Sequence, residues 1–260
     1  MRTLKLTIAY DGTRYAGWQI QQDRRQTAEG RRQKPTIQGT LERVLRRILQ
    51  EPVRIVGSGR TDAGVHAFAQ IAHLKTRSTL TRERLLRSVN QLLPPDIAVT
   101  RIEEAGGGFH ARFSAFRKRY RYRVFAGAAV PPFIRPYVHH VRAPLNLSAM
   151  RREAALLQGA HDFKAFARSG GAPRSTTRRT ITHVELKRRG EEIQLDIEGD
   201  GFLHTMVRSI AGTLLDVGRG HRPTGTVRRL LKGGDRRLAG TTAPACGLAL
   251  VSVQYGGDDG

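Results

Sequence analysis

The sequence predicts an α+β fold made of two ferredoxin-like β-α-β-β-α-β halves that share a mixed, mainly antiparallel sheet. Two observations support this prediction. Apolar residues switch between the period of a strand and the period of a helix, and the same order of elements occurs twice along the chain. A glycine run at residues 106–108 marks the expected boundary. We therefore expect an N-terminal half at residues 1–107 and a C-terminal half at residues 108–255.

The first half contains two helical stripes among four predicted strands. It begins with an alternating strand at residues 4–10. An apolar stripe predicts a helix over residues 36–50, and a second stripe predicts one over residues 82–93, where two prolines end it. The remaining strands of this half are expected at residues 53–56, 65–74 and 97–102.

The second half repeats this order. It opens with a strand in which arginine alternates with tyrosine, valine or phenylalanine, and a hairpin is expected around Gly190. The predicted helices lie at residues 147–157 and 204–217, and the predicted strands at 119–125, 180–188, 192–198 and 247–255.

Charge is the first functional signal in the sequence. Lysine and arginine number 45 and aspartate and glutamate number 22, which gives a formal net charge of +23 and a pI near 11.5. A chain this basic attracts polyanions, of which nucleic acid is the most abundant. Charge alone does not separate an enzyme from a passive RNA-binding protein, so both classes stay open at this point.

Composition argues against several other classes. Hydrophobic residues make up 39% of the chain, which suffices for a packed core but is low for a membrane protein. The longest uncharged stretch, residues 238–257, contains glycines and a proline and would not span a bilayer. The first five residues lack the apolar segment of a secretion signal, and the single Cys246 excludes an intrachain disulfide. We therefore expect a soluble cytoplasmic protein.

The strongest local signal lies between two predicted strands, at residues 57–67. Three glycines in this segment let the backbone turn sharply or approach a ligand, and they bracket Arg60 and Asp62. In a functional interpretation, the carboxylate carries chemistry beside the guanidinium. In the structural alternative, Asp62 makes a side-chain-to-backbone turn and Arg60 is solvated.

Other kinds of catalytic centre find little support in the sequence. His139 and His140 are adjacent rather than one helical turn apart, and no histidine pair has the spacing of metal ligands. The chain has no phosphate-binding P-loop, no serine nucleophile elbow, and few acidic residues near its glycine-rich turns. One well-placed carboxylate, much cationic charge and some aromatic rings remain. We therefore expect neither a metal nor any other cofactor.

Five ordered motifs cover nearly the whole chain. They are YDGTRYAGWQ at residues 10–19 followed by TIQ at 36–38, SGRTDAGVHA at 58–67, FHARFSA at 109–115 with YRY at 120–122, GFLHTMVR at 201–208, and GLAL at 247–250. Together they resemble the tRNA pseudouridine synthase A family. Because all five occur in the same order, the resemblance is far more specific than any single motif.

The resemblance implies the pseudouridine synthase fold and its reaction. Uridine at positions 38, 39 and 40 in the anticodon stem-loop of tRNA would be isomerised to pseudouridine, after the base is flipped out of its stack. By the same resemblance, Asp62 is the catalytic carboxylate in the exchange of the N-glycosidic for a C-glycosidic bond. Whether Asp62 attacks the sugar, attacks the uracil or starts an elimination stays open.

The resemblance also implies four substrate-binding residues. Arg60 fills or holds the gap left by the flipped base, Tyr120 stacks on the uracil, and Arg208 keeps the catalytic carboxylate ionised. Leu248 packs beneath the uracil. Each residue also has an alternative interpretation. Arg60 contacts a phosphate, and Arg208 extends its side chain along the flank of its helix to reach solvent. Tyr120, like its neighbour Tyr122, and Leu248 belong to the core.

The family works as a homodimer in which one tRNA contacts both subunits. The expected partners are therefore tRNA and a second copy of the chain. The active-site cleft is expected between the two halves, with Arg60 and Asp62 from the first and Tyr120 and Arg208 from the second.

The sequence departs from the family pattern in several places. Thr205 and Ser209 stand where members often carry histidine and asparagine, and neither is assigned a role. A basic loop at residues 21–35 is longer than in many members, and it either contacts RNA or is a mobile insertion. A second basic loop is expected at residues 168–179, and residues 256–260 are expected to be a disordered tail.

Two alternatives to the tRNA isomerase stay open. The first is a non-catalytic RNA-binding or RNA-chaperone protein on the same scaffold, which the positive charge alone would explain. The presence of Arg60, Asp62, Tyr120 and Arg208 argues against such a retired site. The second is a pseudouridine synthase with another RNA target.

Overall fold

The computed structural model describes most of the chain, namely residues 1–20, 34–168, 176–233 and 235–256. The basic loop predicted at residues 21–35 lies outside the described residues except for its last two positions. Most of the second basic loop, and the predicted tail beyond Gly256, lie outside them as well.

The chain divides into two compact units. The first comprises Met1–Ala115 and Leu250–Gly260, and the second comprises Phe116–Ala249. The last strand of the chain, Leu248–Tyr255, therefore contributes most of its residues to the first unit.

The first unit combines strands with two helices. Its elements are β1 (Arg2–Tyr10), α1 (Ile37–Leu49), β2 (Val56–Gly57), β3 (His66–Thr76), α2 (Arg82–Leu92), β4 (Ile97–Ala105) and the closing strand of the chain, which is β10 (Leu248–Tyr255). The strands are ordered β4-β1-β3-β10, and β2 pairs with β3. β1 pairs antiparallel with both β3 and β4, so it is an interior strand of this unit.

The periodicities of the sequence explain these elements. In β1 the alternating residues Leu4, Leu6 and Ile8 are fully buried, and in α1 Leu41 and Leu45 are buried on one face. α1 begins at an N-cap threonine, where the hydroxyl of Thr36 accepts a hydrogen bond from the backbone N–H of Gly39 at 3.1 Å. Both elements therefore bury the residues that their apolar periods predicted.

The second unit contains the remaining elements. They are β5 (Ala115–Phe125), β6 (His139–His140), α3 (Leu147–Ala155), β7 (Gly159–Asp162), β8 (Arg178–Arg189), β9 (Glu192–Gly199), α4 (Met206–Gly218) and α5 (Thr226–Leu231). The strands are ordered β5-β9-β8-β7 with antiparallel pairing, whereas β6 pairs parallel to β5. The first residue of β5, Ala115, belongs to the first unit.

The arginines of β5 are neutralised across the sheet. Arg121 lies opposite Asp196 of β9 and makes two hydrogen bonds with its carboxylate, at 2.9 and 3.0 Å. Arg123 also makes two hydrogen bonds with a carboxylate of β9, that of Glu192, at 2.8 and 2.7 Å, and this pairing lowers the pKa of that carboxyl. Such bidentate pairs are strong because two charge-assisted bonds form at once. The arginine periodicity of this strand therefore belongs to sheet pairing.

The predicted α+β class is confirmed, and every predicted helix and strand has a counterpart. The strand predicted at residues 53–56 is shorter and begins at Val56. The short strands β6 and β7 and the short helix α5 were not predicted. In the described part of the chain, no helix has the length and apolar character needed to cross a membrane.

α5 depends on a side chain from another helix. Glu153 of α3 is buried, and its carboxylate accepts hydrogen bonds from the backbone N–H groups of Gly225 (2.6 Å) and Val227 (2.8 Å). These donors open the first turn of α5, where helices leave N–H groups without internal partners. The start of α5 is thus fixed by a residue far away in sequence.

We expect Glu153→Ala to lower the free energy of unfolding by about 2–4 kcal/mol, because it leaves one buried and one partly buried N–H donor without an acceptor. Chemical denaturation measures this. The control is Glu83→Ala, which removes an exposed glutamate side chain and should change the value by less than about 0.5 kcal/mol. Equal effects of the two substitutions would contradict the capping role.

Candidate active site

The segment that carries Arg60 and Asp62 is a tight loop between β2 and β3. The backbone N–H of Ser58 donates to the carbonyl of Ile71 at 2.7 Å, and that of Val65 donates to the carbonyl of Asp62 at 3.1 Å. The second bond closes a four-residue turn whose third residue, Gly64, has φ +78, as a type II turn requires. Asp62 is half-buried at the start of this turn, and Arg60 is exposed.

A buried polar network fixes the loop from within. The hydroxyls of Tyr10 and Thr61 are 2.8 Å apart, and the hydroxyl of Ser58 donates to the side-chain oxygen of Gln70 at 2.6 Å. The amide nitrogen of Gln70 in turn donates to the carbonyl of Gly59 at 3.0 Å. Ser58 and Gln70 are fully buried, and burial raises the pKa of Tyr10. Residues on both sides of Arg60 are therefore held in place.

The N-terminal segment after β1 holds the loop from outside. The backbone N–H of Trp18 donates to the carbonyl of Thr61 at 3.1 Å. Gly17 has φ +95, and a Cβ atom there would lie 2.5 Å from the same carbonyl oxygen of Thr61. A Cβ atom on Gly12 would lie 2.0 Å from the carbonyl oxygen of Val65. The motifs at residues 10–19 and 58–67 thus pack backbone against backbone, which explains the glycines of the first.

In the second unit, Tyr120 and Tyr122 both lie on the buried face of β5. Tyr120 is 8% exposed and meets the ring of Phe202 edge-on, with centroids 5.1 Å apart. Tyr122 is tied to the fold, because its hydroxyl donates to the carbonyl of Pro244 at 2.9 Å and burial raises its pKa. A Cβ on Gly247 would lie 2.8 Å from the Tyr122 ring, so Tyr122 is a core residue.

Arg208 is anchored at the start of α4. Its Nε donates to the carbonyl of Ala243 at 2.8 Å, and the backbone N–H of Ala243 donates to the carbonyl of Arg208 at 3.1 Å. This pair of bonds sets the direction of the half-buried guanidinium. Thr205, just before the helix, has φ 60, and its buried hydroxyl has no hydrogen-bond partner among the described residues. Leu248 is buried at the start of β10.

The structure groups the predicted site residues by unit. Arg60 and Asp62 share one loop of the first unit, whereas Tyr120, Arg208 and Leu248 belong to the second. Within the described ranges, no three histidine, cysteine, aspartate or glutamate side chains are placed to hold a metal ion.

Sequence reasoning missed the network of Tyr10, Thr61 and Gln70 that supports the loop. A signal existed for Gln70, which is a lone amide in a largely apolar strand. Tyr10 and Thr61 gave no such signal, since each fits its local pattern as a strand residue or a turn residue.

Comparisons with known proteins agree on one family. A family model described as tRNA pseudouridine synthase matches residues 6–114 and 154–256. A tRNA pseudouridine synthase A from Limosilactobacillus reuteri (strain DSM 20016) is 43% identical over 264 residues, which cover 100% of this chain and 99% of that protein. Proteins of the same name from Pelobacter propionicus and Acetivibrio thermocellus are 45% and 40% identical over 255 residues, or 98% of this chain and 100% of each relative.

Among solved structures, the chain matches one in the crystal structure of a Cbf5-Nop10-Gar1 complex. The TM-score is 0.37 and the identity 11%, over 95% of this chain and 48% of that one. This likeness is too distant to support an argument. The family model and the full-length relatives are sufficient: the chain belongs to the tRNA pseudouridine synthase family.

Proposed function

We propose that this chain isomerises uridine to pseudouridine in tRNA, at positions 38, 39 and 40 of the anticodon stem-loop, with Asp62 as the catalytic residue. The observation that carries the proposal is the position of Asp62 in a member of this family. Asp62 opens a turn that is fixed by buried hydrogen bonds on one side and by glycine backbone on the other. A carboxylate held this way is preorganised for chemistry.

The reaction needs few groups from the protein. The bond between N1 and C1′ breaks, the uracil turns, C5 bonds to C1′, the proton of C5 is lost and N1 regains one. Atoms and electrons balance within the nucleoside, so no oxidant, reductant or transferred group is required. A carboxylate at the sugar–base junction, a surface for the turning ring and a cation to favour the carboxylate anion meet these needs.

Three of the binding residues offer the ring surface and the cation, and Arg60 serves the base flipping that precedes the reaction. The exposed guanidinium of Arg60 is flat and can stack where the flipped base has left the helix. Tyr120 offers a ring face to the uracil, and Leu248 an apolar surface beneath it. Arg208 is proposed as the cation that favours ionised Asp62. Its anchoring to the backbone of Ala243 supports this role, since a tethered guanidinium loses little freedom when it pairs.

The partners and location proposed for the chain follow from the same family. tRNA is the substrate, and the excess of basic residues gives the phosphate affinity that such a substrate requires. We propose a homodimer that works in the cytoplasm, where tRNA is modified.

We expect Asp62→Ala to abolish pseudouridine formation while leaving tRNA binding nearly intact. Release of tritium from tRNA labelled at C5 of uracil should fall by about a thousandfold or more, because the reacting carboxylate is gone. The dissociation constant for tRNA should stay within about threefold, since phosphate contacts supply most of the affinity.

The control for this experiment is Asp235→Asn, which changes an exposed aspartate and should leave tritium release unchanged. Retained turnover in Asp62→Ala would refute the role of Asp62. No release by the unmodified chain at saturating enzyme would instead favour a non-catalytic RNA-binding protein.

We expect Thr61→Val to lower kcat by about tenfold with little change in tRNA affinity, because small displacements of a reacting group cost rate steeply. This isosteric change removes the hydroxyl that meets Tyr10 under the loop. The matched control is Thr76→Val, which removes a buried hydroxyl bonded to Glu51 at the far end of β3. Both variants should lose about 1 kcal/mol of stability. A rate unchanged in Thr61→Val, or lowered equally in both, would contradict the positioning role.

A further inference from the structure

The motif FHARFSA plays no part in the function proposed above, yet residues 110–114 form a highly ordered turn. Each backbone N–H from His110 to Ser114 has an acceptor. The N–H of His110 donates to the hydroxyl of Ser114 at 3.1 Å, and the N–H of Ser114 donates back to the carbonyl of His110 at 2.9 Å. The N–H groups of Arg112 and Phe113 both donate to Nδ1 of His110 at 3.2 Å. The N–H of Ala111 donates to Nδ1 of His73 at 3.1 Å. A turn bonded at five consecutive positions holds one conformation.

The turn is also anchored to the core of the first unit. Ala111 is fully buried against Ile71 and Tyr255, and the hydroxyl of Tyr255 donates to the Ala111 carbonyl at 2.7 Å. Burial and the nearby His110 lower the pKa of His73, which keeps its ring neutral and its Nδ1 able to accept. The side chains on either side of Ala111 are therefore presented from a fixed base.

What this turn presents to solvent is an aromatic ring beside a cation. Phe113 is 76% exposed, although it lies in an ordered turn. The ring of His110 stacks on it, with centroids 4.4 Å apart and planes inclined by 30°, and the exposed guanidinium of Arg112 lies 5.6 Å from its centroid. We call His110, Arg112 and Phe113 the Phe113 platform.

We propose that the Phe113 platform binds tRNA outside the reacting uridine, by stacking an unpaired base on the Phe113 ring while Arg112 contacts an adjacent phosphate. Every base has a flat face, so such a contact tolerates any sequence. The inference rests on the proposed function in one respect, namely that the RNA bound by the platform is tRNA.

Charge argues for RNA as the occupant of the platform. The exposed guanidinium of Arg112 stands beside the ring on a chain of net charge +23, and such a surface attracts a polyanion. The platform is also a single ring beside a cation and an imidazole, whereas stable protein interfaces bury a broad apolar core. An RNA strand offers a flat base to stack on the Phe113 ring and a phosphate to contact Arg112.

The first experiment measures the dissociation constant of unmodified, transcribed tRNA for three variants. We expect Phe113→Ala and Phe113→Leu to weaken binding by about fivefold to a hundredfold, and Phe113→Trp to bind as well as the unmodified chain or better. Leucine is the matched control, because it keeps the apolar surface and removes the ring face. Thermal unfolding and sedimentation check that fold and oligomeric state are retained.

A second measurement detects the stacking directly. The chain has one tryptophan, Trp18, which is 2% exposed. Phe113→Trp therefore adds an exposed indole, whose fluorescence tRNA should quench beyond the change seen in the unmodified chain. In Arg112→Gln, the slope of log affinity against log salt concentration should become smaller in magnitude by about one, because one phosphate contact is lost.

Three outcomes would overturn the proposal. The first is an unchanged tRNA affinity in Phe113→Ala, and the second is full tRNA affinity in Phe113→Leu. The third is a Phe113 variant that changes its oligomeric state while its tRNA affinity stays the same. None of these readouts uses turnover. Failure of the platform is therefore distinguishable from failure of the proposed isomerase, which the tritium assay tests.

Discussion

The loop at residues 57–65 depends on a close approach of two backbone segments in the first unit. The carbonyl of Thr61 accepts from the N–H of Trp18, and Gly17 passes so near that any Cβ would overlap that carbonyl oxygen. The Thr61 hydroxyl meets Tyr10 from the other side. Because Thr61 is held through both its carbonyl and its hydroxyl, the backbone next to the proposed catalytic carboxylate is fixed, which favours preorganisation. The same contact joins two motifs separated by some forty residues, and either motif alone would leave the loop unsupported.

The large positive charge serves two purposes that the sequence does not separate. In β5 and β9, arginines pair with carboxylates across the sheet, so these cations hold strands together. Arg60 and Arg112, by contrast, are exposed in turns whose backbones are fixed. A net charge therefore overstates how many arginines are available to RNA. An arginine that pairs with a carboxylate of the next strand is used by the fold, whereas an exposed arginine on an ordered loop is available to contact RNA.

Two tyrosines on one strand face have different surroundings. Tyr122 has its hydroxyl bonded to Pro244 and its ring pressed against Gly247, which makes it part of the core. Tyr120, two residues earlier, meets Phe202 edge-on in the segment that leads into α4. Arg208 lies at the start of that helix and is bonded to Ala243, near the segment that receives the Tyr122 hydroxyl. The chain thus places a ring and an anchored cation on neighbouring elements of the second unit.

The sequence by itself determined the α+β class and the order of most elements, and it singled out the glycine-rich loop that carries Arg60 and Asp62, because apolar periods and turn residues are local signals. β6 and β7 were missed because strands of two to four residues carry no period, and α5 was missed because its start is capped by Glu153 from another helix. Only the tertiary structure decided that Tyr10, Thr61 and Gln70 support the loop and that Tyr122 belongs to the core. The reason is physical: these roles rest on hydrogen bonds between residues distant in the chain, and such bonds leave no pattern among sequence neighbours.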